Sequence, residues 1–347
     1  MTANASRDAV AATLPRGAGQ GSNAPGQGAP DQGAPGRGWL GEWLAAWNIF
    51  WFTPSDPLPL AVIRICAGGL FTWASVVWLL DADGFFGTGG WLPAEEVWRM
   101  NDQPWQWSWY FAAPSAGGIR VLAGVTLGAA IMLTIGLATP LAAVVSLAGF
   151  ISAANRAPLN VFGFDDVLGM LLIALAVGPA GAVLSVDSLL SRGMRRPAPS
   201  VLATIALRLI QVHLCVIYFF SGCGKLLGAS WWEGTALWGS IANVQYRTLD
   251  LTRLARHPLV VNVITLATLF WEVSYPALVW PRLTRRLVLT MAVLVHLGIG
   301  LAMGMMVFGL AMIVANMAFI PAVGLRRLLH PFLTDTRHPR ENPEGFA

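Results

Sequence analysis

The sequence is short of charge: 12% of its 347 residues are Asp, Glu, Lys or Arg, about half the roughly one-quarter usual in soluble domains. That shortage excludes a soluble globular protein of this size, a disordered chain and a nucleic-acid-binding one. Lysine is nearly missing, since of 22 basic residues 21 are arginine and one is Lys225. Arginine cannot release its proton in a protein, whereas a desolvated lysine can become a neutral amine. Cysteine is scarce as well. Cys66, Cys215 and Cys223 all lie in apolar segments without metal or redox spacing, so no disulfide framework is expected. The five histidines (His213, His257, His296, His330 and His338) never pair at i, i+3 or i, i+4. With no Gly-rich phosphate loop and no nucleophile elbow, neither a metal site nor standard soluble-enzyme chemistry is expected.

Apolar residues are what the chain has in abundance, at 55% of the total, and the mean hydropathy is +0.59. Uncharged runs near 20 residues recur, each long enough to cross roughly 30 Å of hydrocarbon as a helix. The expected fold is all-α, a polytopic integral membrane bundle in the cell membrane with the lipid bilayer as its surroundings. Eight spans are expected, near 58–80, 118–138, 140–156, 166–186, 201–225, 259–280, 286–303 and 305–324. The second and third form a tight hairpin through Thr139 and Pro140. The last two share one apolar stretch broken near Gly304, with a single long tilted helix as the alternative. Residues 1–38, rich in Gly, Ala, Pro and Gln and lacking a secretory apolar core, read as a flexible tail. Trp39, Trp43, Trp47 and Trp51 recur every four residues, which suggests an interfacial helix before the first span; a water-facing linker helix is the alternative. A transmembrane domain over 39–324 and a short cytoplasmic tail over 325–347 complete the expected organisation.

Arginine clusters set the expected orientation. Arg192, Arg195 and Arg196, then Arg282, Arg285 and Arg286, then Arg326 and Arg327 fall on one side of an eight-span chain. The positive-inside rule makes that side, and both termini, cytoplasmic. The first long loop, with Asp81, Asp83, Glu95, Glu96 and Asp102 against Arg99, suits the outside. The loop over 226–258 is discordant: it also falls outside yet carries Arg247, Arg253 and Arg256, so it is expected to fold partly onto the bundle.

An ionisable group in a span costs at least ~2.5–3.5 kcal/mol at the helix centre, so each needs a partner, a cavity or a route to the headgroups. Arg208, Gln211, Cys215, Tyr218, Gly222 and Lys225 are spaced 3, 4, 3, 4 and 3 apart, one polar seam on one face of span five. His213 lies on another face. Other spans offer Arg64, Glu272 with Tyr275 on the same face, His296 and Asn316, while Asn155, Arg156, Asn160, Asp165 and Asp166 surround the junction of spans three and four. Each has a plain structural alternative. Arg64 and Arg208 either reach the cytoplasmic headgroups or pair with Glu272, Asp165 and Asp166 cap span four, and His296 and Asn316 serve as packing and interhelical hydrogen-bonding groups.

The stretch Tyr218–Gly234, YFFSGCGKLLGASWWEG, resembles the core motif of the vitamin K-dependent gamma-carboxylase family, whose membrane part is the horizontally transferred transmembrane (HTTM) domain. Similar pieces follow in order: Arg64, Gly89-Gly90-Trp91-Leu92-Pro93, the Asn155–Asp166 junction, Ser185-Val186-Asp187, Glu272, and His296 with the Met/Gly/Phe-rich segment to Phe308. The similarity covers roughly residues 45–325. It implies that Lys225 acts as an amine base toward a quinol such as reduced vitamin K, and the apolar seam suits a lysine that must shed its proton. Together with the polar residues of the spans, it makes Arg64, Asn160, Asp165, Asp166, Arg208, Tyr218, Glu272 and His296 the candidate polar pocket. Three departures limit it. Gly224 stands where the family has a second lysine, Phe164 where it has a histidine, and no large extramembrane domain follows, so propeptide-directed carboxylation is not expected. Three functional readings follow. One is a quinol-dependent membrane enzyme using Lys225. The second is a protein that binds or transports a lipid or other small molecule. The third is an accessory factor for maturation or export of a secreted protein or peptide.

Overall fold

The computed structural model describes residues 38–100, 106–113, 115–191 and 198–333. Arg192, Arg195, Arg196, Asp102, His338 and all but the last residue of the expected 1–38 tail lie outside the described residues. The chain falls into two units, Met1–Ala45 and Ala46–Ala347, and the helical bundle belongs to the second. In chain order the helices are α1 (Trp39–Phe52), α2 (Leu58–Leu80), α3 (Ala82–Phe86), α4 (Ala94–Met100), α5 (Ala116–Ile135), α6 (Thr139–Arg156), α7 (Gly163–Val177) and α8 (Val186–Leu190). They continue with α9 (Val201–Leu226), α10 (Ala229–Trp232), α11 (Ala236–Ile241), α12 (Pro258–Leu278), α13 (Arg282–Met303), α14 (Met306–Asn316) and α15 (Ala322–Leu333).

Among the described residues, five helices are long and apolar enough to cross a membrane: α2, α5, α9, α12 and α13. A sixth span results if α14 and α15, bent by 114°, count as one. The other expected spans exist as helices but are shorter. At 1.5 Å per residue, α7 with 15 residues reaches only about 22 Å. The reason is its position. Ten of its residues are buried, around most of its circumference, so packing rather than bilayer thickness sets its length. α14 also runs inside, against α7, α2 and α13, and ends before Pro321, which disfavours helix in the residue ahead of it.

Turns follow the sequence. Gly136 closes α5 in the left-handed conformation (φ 73°), and Ala138, also left-handed, leads into Thr139 and Pro140 at the start of α6. Gly304 (φ 70°) ends α13 and reverses the chain, so α13 and α14 form a packed hairpin and not one long helix.

The arginine clusters that are described share one end of the bundle. Arg282 and Arg285 line the same cavity as Asp56 and Ala322, and Arg326 pairs with Asp56. The starts of α2 and α9 are tied at this end by paired backbone bonds between Ser55 and Ser200. The loop after α9 does fold back. Thr248 donates from its N–H to Ala302 (3.0 Å) and from Oγ1 to Leu301 (2.7 Å), while the Leu237 N–H donates to Thr265 Oγ1 (3.2 Å).

Candidate functional site

Three helices converge on Lys225. On α9 the seam spacing holds: Gln211, Tyr218 and Gly222 are buried, while His213 on the other face is exposed. Gly222 brings α9 against α12; a Cβ there would stand 2.8 Å from Val273 Cγ2 and 3.0 Å from Val273 N. That close approach, of the kind small residues permit between membrane helices, lets Lys225 reach across. Its Nζ stands 2.7 Å from Glu272 Oε2 and 2.7 Å from Ser221 Oγ, and 5.2 Å above the Trp231 ring. The side chains are 22% and 10% exposed for Lys225 and Glu272, so the ion pair is largely enclosed by protein. Glu272 Oε2 is itself buried, and the ion pair with Lys225 is the contact it makes among the described residues.

Beside the pair runs a directed hydrogen-bond chain. Asn316 Nδ2 donates to the Met312 carbonyl (2.8 Å), which can only accept, so the amide orientation is fixed. Its Oδ1 then accepts from Tyr275 Oη (2.7 Å), and its Nδ2 also donates to Tyr218 Oη (3.0 Å). Tyr218 Oη is also hydrogen-bonded to His296 Nε2, 2.8 Å away. The other ring nitrogen, Nδ1, is buried and has no hydrogen-bond partner among the described residues. The walls are aromatic: Trp271 and Tyr275 lie 4.9 and 4.0 Å from the Tyr218 ring, and Phe308 lies 5.7 Å from His296.

Of the residues singled out from sequence, Lys225, Tyr218, Glu272 and His296 are brought together, with Tyr275 and Asn316 completing the network. The others are elsewhere. Arg208 is 17 residues before Lys225 on α9, about 25 Å along the axis. The expected Arg208–Glu272 pair does not form. Arg208 donates to the Phe50 carbonyl (3.1 Å) and to Gln211 Oε1 (2.8 Å) and stacks over Phe50. Arg64, fully buried, donates to the carbonyl of Leu133 (3.1 Å) near the end of α5 and to that of Leu184 just before α8. Nearby, Asp187 accepts from the backbone N–H of Ala138 and Thr139, each at 2.7 Å. Burial opposes its ionisation, but those donors and the charge of Arg64 outweigh it and hold the carboxyl below the usual range. Asp165 accepts from the Phe162 N–H (3.0 Å) at the start of α7, the capping role, and Asn160 and Asp166 are exposed. Sequence reasoning missed Ser221, Trp231 and Trp271 as site residues; Ser221 was signalled by its place one turn before Lys225. Arg156, named at the junction of spans three and four, is away from the site: its buried guanidinium holds the carbonyls of Phe86 (3.1 Å), Leu92 (3.0 Å) and Gly87 and so anchors the first loop.

A family model described as the HTTM domain matches residues 52–322, most of the chain. The chain belongs to the HTTM family. Searches of the curated proteins and of the solved structures find no match. HTTM membership, the all-helical bundle and its apolar helices together make this a membrane protein. Within the HTTM segment lie both Lys225 and Glu272, so the enclosed ion pair is part of the family's domain and not an appendage to it.

Proposed function

We propose that the Lys225–Glu272 pair is a proton-accepting centre for an apolar molecule carrying a weakly acidic hydroxyl, a quinol being the class the family resemblance implies. The observation that carries the reading is the chain's one lysine enclosed against a carboxylate at 2.7 Å. In a poorly solvated site the charged pair and its neutral isomer come closer in energy than in water, because burial penalises both charges. Passing the ammonium proton to Glu272 leaves a free amine. The amine then takes the hydroxyl proton of the ligand, and the new ammonium faces the anion it has made, while Glu272 keeps the first proton. The unpartnered Nδ1 of His296 fits a ligand hydroxyl, and Trp271, Tyr218 and Phe308 fit an apolar ring. A reduced quinone bound here would supply an oxidisable anion; these side chains bind it, orient it and hold its proton.

The same reading takes the eight apolar segments expected from sequence, the shorter helices included, as crossings of the cell membrane, the arginine-rich end and both termini as cytoplasmic, and α1 as an interfacial helix. Lys225 also bonding Ser221 favours a second reading, in which the pair only shapes a pocket for binding or transporting a lipid or small molecule, or for an accessory role toward a secreted partner.

Thermal unfolding with a reduced short-chain naphthoquinone, an otherwise similar naphthalene lacking hydroxyls, and the double variant Lys225→Met/Glu272→Leu separates the readings. A ligand at a hundredfold excess over its Kd stabilises by roughly 2.7 kcal/mol. The naphthoquinol is expected to raise the midpoint of the native chain and not of the double variant. Equal responses to both compounds, or in both proteins, would sink the proposal.

A further inference from the structure

The end of the bundle away from Lys225 holds a cavity of about 390 Å³, within the size range of small-molecule sites. Arg208, Arg282 and Arg285 line it. Asp56 is the one carboxylate among the lining residues, and it is already engaged by Arg326, whose Nε stands 3.1 Å from Asp56 Oδ2. Three guanidinium charges therefore face the cavity without a counter-charge. Arg208 and Arg285 are close enough to repel one another. Arg285 spends its Nε and Nη2 on the carbonyls of Val279 and Trp280 and keeps Nη1 free, and Arg282 makes no side-chain bond among the described residues. Ser55 Oγ, buried and without a hydrogen-bond partner, also lines the cavity. The first turn of α13, 22 residues long, adds the positive end of a helix dipole at Arg282.

Like charges held together around an open volume, with an orphan hydroxyl among them, are costly unless an anion occupies the space. From this geometry we infer that the cavity binds a phosphate group, as the headgroup of an anionic phospholipid. Arginine forks match phosphate oxygens in pairs. The lipid source follows from the apolar part of the lining, Leu207, Phe319 and Ile320, and from the adjoining α15, which leaves Val323 and Leu328 exposed at 63% and 73%. Acyl chains have a surface to lie on where a soluble phosphate has none.

The test uses the full chain in detergent and follows thermal unfolding with added phosphatidylglycerol, phosphatidylcholine or inorganic phosphate. Phosphatidylglycerol is expected to raise the midpoint at lower concentration than phosphatidylcholine. Arg282→Gln removes an exposed side chain with no structural bond, so the fold survives; it is expected to weaken the phosphatidylglycerol response roughly fivefold. Ser55→Ala is expected to weaken it further, and Arg286→Gln, one charge away but off the lining, to leave it unchanged. Equal responses to the two lipids, or equal losses in Arg282→Gln and Arg286→Gln, overturn the site. A shift of the same size from inorganic phosphate alone overturns the lipid assignment.

Discussion

Glu272→Leu alone is expected to destabilise the protein by roughly 3 kcal/mol, and adding Lys225→Met is expected to recover most of that loss. Breaking a buried ion pair from one side typically costs about 3–5 kcal/mol because an unpaired charge stays behind. The lower end applies here, since the Lys225 side chain keeps 22% of its exposure and some solvation. Removing both partners leaves two apolar side chains between α9 and α12 where Gly222 already brings the backbones together. Denaturant or thermal unfolding in detergent for the two single variants and the double gives the coupling energy directly. Simple additivity would mean that the pair contributes nothing as a pair.

The second large effect is expected at Gly136→Ala, about 4 kcal/mol of lost stability. Two causes add. Gly136 holds φ 73°, which L side chains rarely adopt, and a Cβ there would overlap the Arg64 guanidinium and Ser185 Cβ. Moving Arg64 would pull a fully buried cation off the carbonyls of Leu133 and Leu184. Gly128→Ala on the same helix is the control. Its Cβ would meet nothing within 4 Å, so it is expected to be neutral or to stabilise slightly. Similar unfolding midpoints for the two variants would show that the α5–α6 turn tolerates a side chain.

Local periodicity makes much of this legible in the sequence. The seam on α9 follows from steps of three and four residues, and the break at Gly304 from a residue that can take φ 70°. Glu272 and Tyr275 were readable as one face of α12, and both do enter the site. What sequence could not supply was the register between helices. From sequence, Arg208 could either reach the headgroups or pair with Glu272. In fact Trp280, just past the end of α12, lies 5.5 Å from the Arg208 guanidinium, so α12 ends beside the early part of α9, about two turns from its start, and Glu272 meets Lys225 instead. Span lengths misled for a related reason. A helix surrounded by protein, such as α7, need not match the bilayer, whereas hydropathy assigns it one bilayer thickness. The network that joins Asn316, Tyr218 and His296 is built from three different helices, a long-range relation that no spacing encodes.

The central claim is that the Lys225–Glu272 pair takes a proton from an apolar hydroxyl compound, and the ionisation of a bound naphthol measures it most directly. Naphthol and naphtholate absorb at different wavelengths, so a spectrum of the complex at neutral pH reads the proton's position. The native chain is expected to show the naphtholate band on binding, while Lys225→Met and Glu272→Gln each bind the probe and leave it neutral. A probe that stays neutral on the native chain, or ionises equally on Lys225→Met, would contradict the account.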